Sequence, residues 1–326
     1  MTIADFHRAS SRNSLDFDAK MTTFQGQAAF VIGVIDHNYI TGAVTSSDDT
    51  AIGYRKFGEG PSLVLLHGSL CAAQHLMDLG RALAGEYTVY IPDRRGRGAS
   101  APIGSGHCLG REMDDLIALL FKSRAKMAFG TGTGALIVLQ ALLRYSGLRR
   151  AALYEPMLDV DGSLIEKFAP VMRRYEREMA RGNLAEALTT VLKGGEMMPD
   201  TVFRRLPNFM IARSLRQAIQ IEKETALGSD VNLETLIPTQ RFDYMLMVEA
   251  QGSLESFRSV GAEVLLMGGS RSPAVFKKTL DELKGVIPYS SRVELKGMGH
   301  AGPAGHKGEP ERVAEALRKF FGARGM

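Results

Sequence analysis

The stretch Lys126-Met127-Ala128-Phe129-Gly130-Thr131-Gly132-Thr133-Gly134-Ala135 joins a short apolar segment to a second one through three alternating glycines. The apolar patterns predict a strand over 126–129 and a helix over 135–145. Glycine adopts positive φ and lets backbones approach closely, so the turn between them can be sharp. The stretch therefore predicts a strand, a tight turn and a helix, the unit from which helix-covered parallel sheets are built.

Further strands and helices alternate on both sides of this unit. Strands are predicted at 51–57, 62–66, 87–92, 151–156, 263–269 and 291–295, and helices at 73–84, 113–120, 275–283 and 311–321. The run 62–66 is apolar throughout, as in a parallel strand that is buried on both faces, whereas 51–57 alternates as an antiparallel strand does. The expected fold class is α/β, with a mostly parallel central sheet and helices on both faces.

The alternation stops after residue 157, and the pattern stays helical until about residue 257. Glycines and prolines interrupt this region without restoring a strand pattern. Four segments are therefore expected: an N-terminal extension (1–42), a first part of the core domain (43–157), a helical cap (158–257) and a second part of the core domain (258–326).

Composition narrows the class of protein. The chain has 326 residues, of which 45% are hydrophobic, and a formal net charge of +4. Basic residues are interleaved with acidic ones and not with aromatic ones, so no nucleic-acid partner is expected. Apolar runs fall short of the about 20 residues that span a membrane, and no signal peptide is recognised, so a cytoplasmic protein without a membrane partner is expected.

The two cysteines, Cys71 and Cys108, show no metal-ligand spacing. We expect free thiols, no metal site and no cofactor. The loop 93–98 (DRRGRG) lacks the GxGxxG spacing of a phosphate-binding loop. Its expected role is a structural turn beneath the active site.

Four short motifs follow predicted strands in a fixed order. They are His67-Gly68, Asp93-Arg94-Arg95-Gly96-Arg97-Gly98, Gly130 to Gly134, and Gly297-Met298-Gly299-His300. In this order, and at these strand ends, the chain resembles the α/β-hydrolase superfamily over roughly residues 43–321. Within the superfamily it resembles the branch that has a helical cap and acts on small molecules. In particular, it resembles hydrolase-like proteins of fungal and bacterial natural-product biosynthesis. The resemblance implies an α/β-hydrolase fold.

The chain departs from that family at the turn that normally presents the nucleophile. Where the family carries serine, this chain has Gly132, and Thr133 replaces a second serine of the relatives it resembles. Without a nucleophile at residue 132, the usual acyl-enzyme route is closed at its first step. Gly132 and Thr133 are nevertheless retained as candidate catalytic positions, because the backbone of the turn is unaffected by the change of side chain.

The resemblance implies roles for other residues of the site. His300 would be the general acid and base. The loop 268–273 holds no carboxylate, so Glu155 is the expected orienting acid, with a purely structural role as the alternative and Asp159 and Asp161 as lesser candidates. The oxyanion hole would be formed by the backbone N–H groups of Thr133 and of Ser69 or Leu70.

Four interpretations of Gly132 remain open at this point. His300 could act directly on the substrate or on water, which suits cyclisation, condensation, addition or elimination. Thr131 or Thr133 could serve as a displaced nucleophile in a residual hydrolase. The protein could instead be a non-catalytic ligand-binding pseudo-hydrolase, or the serine could have been removed to trap a ligand.

The substrate is expected to be an apolar small molecule, because the region 158–257 is rich in flexible methionines. Substrate-binding roles are expected for Thr131, Asp243, Tyr244 and Met210. The sequence leaves open whether the chain forms a homodimer.

Overall fold

The computed structural model describes residues 39–195, 205–225, 230–304 and 308–322. These residues contain an eight-stranded sheet in the order β1-β2-β4-β3-β5-β6-β7-β8. The strands are β1 (Ile40–Thr45), β2 (Ala51–Phe57), β3 (Ser62–Leu66), β4 (Thr88–Pro92), β5 (Met127–Thr131), β6 (Arg150–Tyr154), β7 (Glu263–Gly269) and β8 (Ser290–Leu295). β2 is antiparallel to β1 and β4, and all the other neighbours are parallel.

Helices connect these strands. They are α1 (Met77–Leu83), α2 (Leu109–Ser123), α3 (Thr133–Ala141), α4 (Ser163–Ala180), α5 (Leu184–Gly194), α6 (Asn208–Thr225), α7 (Leu233–Leu236), α8 (Gln240–Glu249), α9 (Ala274–Val286) and α10 (Pro310–Gly322). Short 3₁₀ turns cover Ala73–Leu76, Ile237–Thr239 and Leu254–Ser259. The predicted fold class, a mostly parallel sheet with helices on both faces, is confirmed.

Each face of the sheet has its own hydrophobic core. Leu63 and Leu65 of β3 point to one face, where α1 and α10 cover them. Val64 and Leu66 point to the other face, where α2, α3 and α9 cover them. Successive side chains of a strand alternate between faces, so a strand covered on both sides must be apolar throughout. This is the physical reason for the continuous apolar run at 62–66.

The helices between β6 and β7 have an apolar cluster of their own. Met172 and Tyr175 of α4 pack against Leu188 and Val191 of α5 and against Ile237. The regular elements described between β6 and β7 are helices and short 3₁₀ turns. Among the described residues, no helix is long and apolar enough to cross a membrane.

The start of the core differs from the expected boundary. β1 begins at Ile40, and a compact unit runs from Tyr39 to the end of the chain, so the boundary expected after residue 42 falls inside a strand. β1 pairs with β2 along its whole length, from Ile40 opposite Lys56 to Thr45 opposite Ala51. Residues 1–38 of the expected extension lie outside the described residues. Among the described residues, neither Cys71 nor Cys108 is part of a disulfide.

Candidate active site

The turn between β5 and α3 holds Gly132 in a left-handed backbone conformation. Its φ is +55° and its ψ is −118°. Such a conformation is open to glycine and costs another residue about 1–3 kcal/mol. The amide of Gly132 donates to the carbonyl oxygen of Tyr154 at 3.0 Å, and its carbonyl accepts from the amides of Leu136 and Met157 at 3.1 Å. These bonds to α3 and to the end of β6 fix the position of residue 132.

The segment that follows β3 lies directly against this turn. A Cβ atom at Gly134 would lie 2.4 Å from the carbonyl oxygen of Leu66, and one at Gly68 would lie 2.7 Å from the carbonyl oxygen of Thr131. Both distances are too short for a carbon atom, so only glycine allows this approach. The two glycines therefore bring the segment 67–70 against the N-terminus of α3.

His300 and Glu155 form a hydrogen-bonded pair. The Nδ1 atom of His300 lies 2.7 Å from Oε2 of Glu155. Glu155 is completely buried, and its Oε1 atom accepts from the amide of Gly269 at 2.7 Å. Because a carboxylate faces Nδ1, that nitrogen carries the hydrogen and Nε2 can accept a proton. Glu155, the expected orienting acid, is therefore the hydrogen-bond partner of the expected base.

The backbone at Glu155 is unusual for a residue other than glycine. Glu155 follows the last residue of β6 and has a φ of +48°. Its amide donates to the carbonyl oxygen of Met267 in β7 at 3.0 Å. Backbone strain of this kind is concentrated at functional sites, where the surrounding structure holds it in place.

The two lesser candidates for the orienting acid, Asp159 and Asp161, bind other groups. The carboxylate of Asp159 accepts from the amides of Gly162 at 2.9 Å and Ile165 at 3.1 Å, around the start of α4. Asp161 is at the surface and pairs with Lys278. Both carboxylates therefore act at the start of α4 or at the surface, and Glu155 alone of the three expected acids contacts His300.

The other ring nitrogen of His300 faces residue 132. A Cβ atom built at Gly132 would lie 3.5 Å from Nε2 and 3.6 Å from Cε1 of His300, which are ordinary van der Waals distances. The side chain of His300 is 26% exposed, so a small molecule can reach it. The imidazole thus lies next to the position at which the resemblance places a nucleophile.

Two aromatic residues that the sequence did not single out hold His300 and its segment. Phe276 of α9 is buried and stacks on the imidazole, with ring centroids 4.6 Å apart and ring planes inclined by 8°. The hydroxyl of Tyr154 donates to the carbonyl oxygen of Gly299 at 2.7 Å. Burial, with the charge of Glu155, raises the pKa of Tyr154 well above its usual value, so it remains a donor.

The expected oxyanion-hole residues lie together. Thr133 is the first residue of α3, and Leu70 has a φ of +53°. The hydroxyl oxygens of Ser69 and Thr133 are 2.8 Å apart and share a hydrogen bond. Among the hydrogen bonds of the described residues, none has the amide of Ser69, Leu70 or Thr133 as donor. Amides at a helix N-terminus are suited to stabilise a developing negative charge.

Asp243, for which a substrate-binding role is expected, is buried in an ion network. Its carboxylate lies 2.8 Å from Arg94 and 2.9 Å from Arg97, and Arg94 also pairs with Glu112 at 2.8 Å. Burial raises the pKa of Asp243, but the charges of Arg94 and Arg97 outweigh it and hold the pKa below its usual value. The network joins the loop 93–98 to α8.

The same loop is tied to the end of β3. His67 is completely buried, and its Nε2 atom accepts from the amide of Arg94 at 3.1 Å. Burial, together with the charges of Arg97 and Arg94, holds the pKa of His67 well below its usual value. Asp93 accepts from the amide of Ala73 at 2.8 Å. These contacts support the structural role that the sequence predicts for the loop.

The remaining expected substrate-binding residues differ in their surroundings. Thr131 is half-buried at the end of β5. Tyr244 is half-buried and packs against two apolar clusters, one of which includes Leu70 and the other Phe276. Met210 is half-buried in the first turn of α6, and its described hydrogen bonds stay close to that helix. Tyr244 is therefore beside the site, whereas no described contact brings Met210 to it.

Comparison with known proteins agrees with this fold. A model of the alpha/beta hydrolase family matches residues 63–316 of the chain. Among curated proteins, the 3-hydroxybutyrate-oligomer hydrolase of Cupriavidus necator is 24% identical over 280 residues, which are 83% of this chain and 92% of that protein.

Solved structures with a similar fold include an alpha/beta hydrolase from Sphaerobacter thermophilus. It is 27% identical, has a TM-score of 0.67, and the match covers 86% of this chain and 100% of that one. A thermophilic esterase from Thermogutta terrifontis is 20% identical, has a TM-score of 0.63, and the match covers 86% of this chain and 98% of that one. At 20% identity, the similarity to the Thermogutta terrifontis esterase is evidence for the fold alone.

Proposed function

The chain belongs to the alpha/beta hydrolase family, and on that premise we propose an enzyme that uses His300 as acid and base on a carbonyl compound without a covalent intermediate. Glu155 orients His300, and the amides of Leu70 and Thr133 stabilise negative charge on the carbonyl oxygen. One observation carries the proposal. A Cβ atom at residue 132 would lie 3.5 Å from Nε2 of His300, but the residue is glycine and offers no side-chain hydroxyl there.

The proposed reaction begins with removal of a proton from the carbon next to the carbonyl group. The electron pair of the broken C–H bond moves to the carbonyl oxygen, where the amides of Leu70 and Thr133 stabilise the enolate. Nε2 of His300 holds the proton, Glu155 stabilises the imidazolium, and the proton later returns to the product. Cyclisation, condensation, addition and elimination can all proceed by such steps.

The neighbouring clusters support an apolar substrate of the natural-product type. Leu70 packs with the cluster that contains Met172 and Tyr175, and Phe276 packs with the cluster that contains Met157. Tyr244 contacts both clusters, so apolar groups adjoin the site on two sides. Sites for small molecules are typically apolar with a few polar groups that set orientation. In this proposal the helices between β6 and β7 act as a cap that selects the substrate.

Hydrolysis by activated water is the second candidate. It is favoured by the names of the similar proteins, which include a 3-hydroxybutyrate-oligomer hydrolase and an esterase. In this case Nε2 of His300 would take a proton from water, and the water oxygen would attack an ester directly. The side chain of Thr133 is a poor substitute for serine, because it is buried and its hydroxyl is bonded to Ser69.

Hydrogen exchange separates these candidates. We expect the protein to exchange the α-hydrogens of an apolar ketone such as 4-phenyl-2-butanone in D₂O, measured by mass spectrometry, and His300→Ala to slow it about 10²–10⁴-fold. Asp161→Asn, a surface control, should leave the rate unchanged. Equal exchange by His300→Ala and the unmodified protein would refute the proposal. Saturable binding with the ketone recovered undeuterated, together with no hydrolysis of p-nitrophenyl butyrate, would indicate a binding protein instead.

A further inference from the structure

Basic residues are concentrated at the edge of the sheet where β5 and β6 begin. Lys126 directly precedes β5, and Arg149 directly precedes the first residue of β6, Arg150. The carbonyl oxygen of Lys126 accepts from the amides of Arg149 at 2.9 Å and of Arg150 at 3.1 Å, so the two segments lie side by side. Arg124 follows the end of α2 with a φ of +53°, a left-handed conformation that ends helices. Cations from two segments of the chain therefore lie together.

Two open grooves adjoin these residues. One has a volume of about 600 Å³ and the other of about 660 Å³, and Arg124 and Lys126 line both. Arg149 and Arg150 line the first groove, and Lys122, in the last turn of α2, lines the second. We call these five residues the basic surface.

The basic surface has little compensating negative charge. Within the described part of the chain, Glu86 is the one acidic residue that lines the first groove, and it pairs with Arg318 at 3.1 Å. No described acidic residue lines the second groove. Arg150 pairs with Glu263 at 3.2 Å, but the other four residues of the basic surface are exposed and form no ion pair among the described residues. A partner with negative charge would relieve their mutual repulsion.

Apolar side chains lie beside these cations. Phe121 of α2 lines the second groove and is 75% exposed, and Tyr87 and Phe321 line the first groove. Exposed aromatic residues and arginines are the residue types that anchor protein partners. A surface with both matches a partner that carries both carboxylates and apolar side chains. The grooves are concave, so they fit a polypeptide segment better than the flat surface of a membrane.

We propose that the basic surface docks an acidic segment of a partner protein, with carboxylates facing the five cations and an apolar side chain against Phe121. The inference is independent of the proposed function, because Gly132 and Glu155 follow the opposite ends of β5 and β6. The five residues of β5 rise about 3.3 Å each, so about 16 Å separates the two ends. Docking therefore leaves the candidate active site open and places the enzyme in an assembly.

Fluorescence anisotropy tests the proposal with the unmodified protein. The probe is a fluorescein-labelled peptide of four Glu-Glu-Leu-Ser repeats, and the control peptide has four Gln-Gln-Leu-Ser repeats. We expect saturable binding of the acidic peptide that weakens when NaCl is raised from about 0.05 to about 0.5 M, because salt screens exposed charges. Equal binding of both peptides, or no saturable binding of the acidic one, would overturn the proposal.

Charge reversal locates the binding. The triple variant Arg124→Glu, Lys126→Glu, Arg149→Glu should bind the acidic peptide at least about tenfold more weakly, because attraction is replaced by repulsion. The matched control reverses three exposed arginines of α4, which changes the net charge by the same amount. They are Arg173, Arg174 and Arg177. This control should stay within about threefold of the unmodified protein, since distant charges are screened. Equal losses in both triple variants would show attraction by overall charge and overturn the proposal.

The apolar contact has a control of its own. Phe121→Ala should weaken binding at least about fivefold, as expected for an aromatic anchor. Phe209→Ala, at a phenylalanine of α6 that is 71% exposed, should leave the affinity unchanged. Thermal melting shows whether each variant is folded at the assay temperature. Tighter binding of the unmodified protein to phosphatidylserine vesicles or to oligothymidylate than to the peptide would identify a membrane or a nucleic acid as the partner and overturn the proposal.

Discussion

His300 receives its hydrogen-bond partner from the end of β6 and not from the loop after β7: Nδ1 lies 2.7 Å from Oε2 of Glu155. In the loop after β7, the hydroxyl of Ser270 instead accepts from the amide of Gly297 at 2.8 Å. The amide of Gly269 at the end of β7 donates to Glu155 at 2.7 Å. The ends of β6 and β7 and the segment carrying His300 therefore meet at this carboxylate.

Glu155→Gln tests the orienting role of this carboxylate. Glutamine keeps an acceptor for the amide of Gly269 but presents an NH₂ group to Nδ1 of His300, which favours the tautomer with hydrogen on Nε2. We expect the His300-dependent α-hydrogen exchange rate to fall about 10³–10⁴-fold, with an unchanged circular dichroism spectrum. Asp161→Asn is the surface-carboxylate control. A loss of less than tenfold would assign Glu155 a structural role.

Gly132→Ser should create a covalent ester hydrolase. The introduced Cβ atom would lie 3.5 Å from Nε2 of His300, within reach of a serine hydroxyl. We expect hydrolysis of p-nitrophenyl butyrate to rise at least about 100-fold, with a burst of p-nitrophenol, since a serine nucleophile adds several orders of magnitude. The free energy of unfolding should fall by about 1–3 kcal/mol, because serine is strained at a φ of +55°.

The control for this gain is the double variant Gly132→Ser with His300→Ala. It should show neither the burst nor the increase in rate, because the introduced hydroxyl lacks a base. Unchanged low activity in a folded Gly132→Ser protein would mean that the turn and His300 are not aligned for covalent catalysis.

Asp243 and Arg97 should contribute to stability as a pair. Asp243→Ala leaves the buried charges of Arg97 and Arg94 without this carboxylate, and we expect the free energy of unfolding to fall by about 3–5 kcal/mol. Arg97→Met alone should also destabilise the protein. The double variant Asp243→Ala with Arg97→Met should lose less than the sum of the two single effects, measured by denaturant unfolding. Strictly additive losses would contradict a coupled pair.

The buried histidine His67 should make stability depend on pH. Burial, with the charges of Arg97 and Arg94, holds its pKa well below 6.5, the value it approaches in the unfolded chain. Below pH 6.5 the unfolded state therefore binds a proton that the folded state does not. The contribution of His67 is complete above pH 6.5, and the free energy of unfolding falls as the pH drops, by at most about 1.4 kcal/mol per pH unit.

Urea denaturation at pH 7.5, 6.5 and 5.5 measures this slope. His67→Gln removes the titrating group, so its unfolding free energy should depend less on pH over this range, even if the variant is less stable at every pH. An unchanged slope in His67→Gln would show that other groups cause the dependence.

The order and type of most strands and helices follow from local patterns. β2, β3 and β7 coincide with the runs predicted at 51–57, 62–66 and 263–269. β1 was missed, because Ile40–Thr45 is a mixed segment with no clear period, and its pairing with residues of β2 stabilises it. A strand at a sheet edge depends more on its partner than on its own hydrophobic pattern.

The candidate site residues differ in how much local signal accompanies them. His300 stands in a glycine motif after the last strand, so the sequence singles it out. Asp243 stands in an ordinary helical pattern, and its burial against Arg94 and Arg97 has no local signal. Phe276 is likewise one aromatic residue at the start of a helix, and its stacking on His300 depends on the packing of α9.

The sequence alone determines that residue 132 is a glycine without a side chain and that a glycine-rich turn joins β5 to α3, because these properties belong to neighbouring residues. The choice among Glu155, Asp159 and Asp161, and the direction of Nε2 toward Gly132, depend on distances between segments far apart in the chain. Those distances arise when the ends of parallel strands meet at one edge of the sheet, so they are properties of the packed fold.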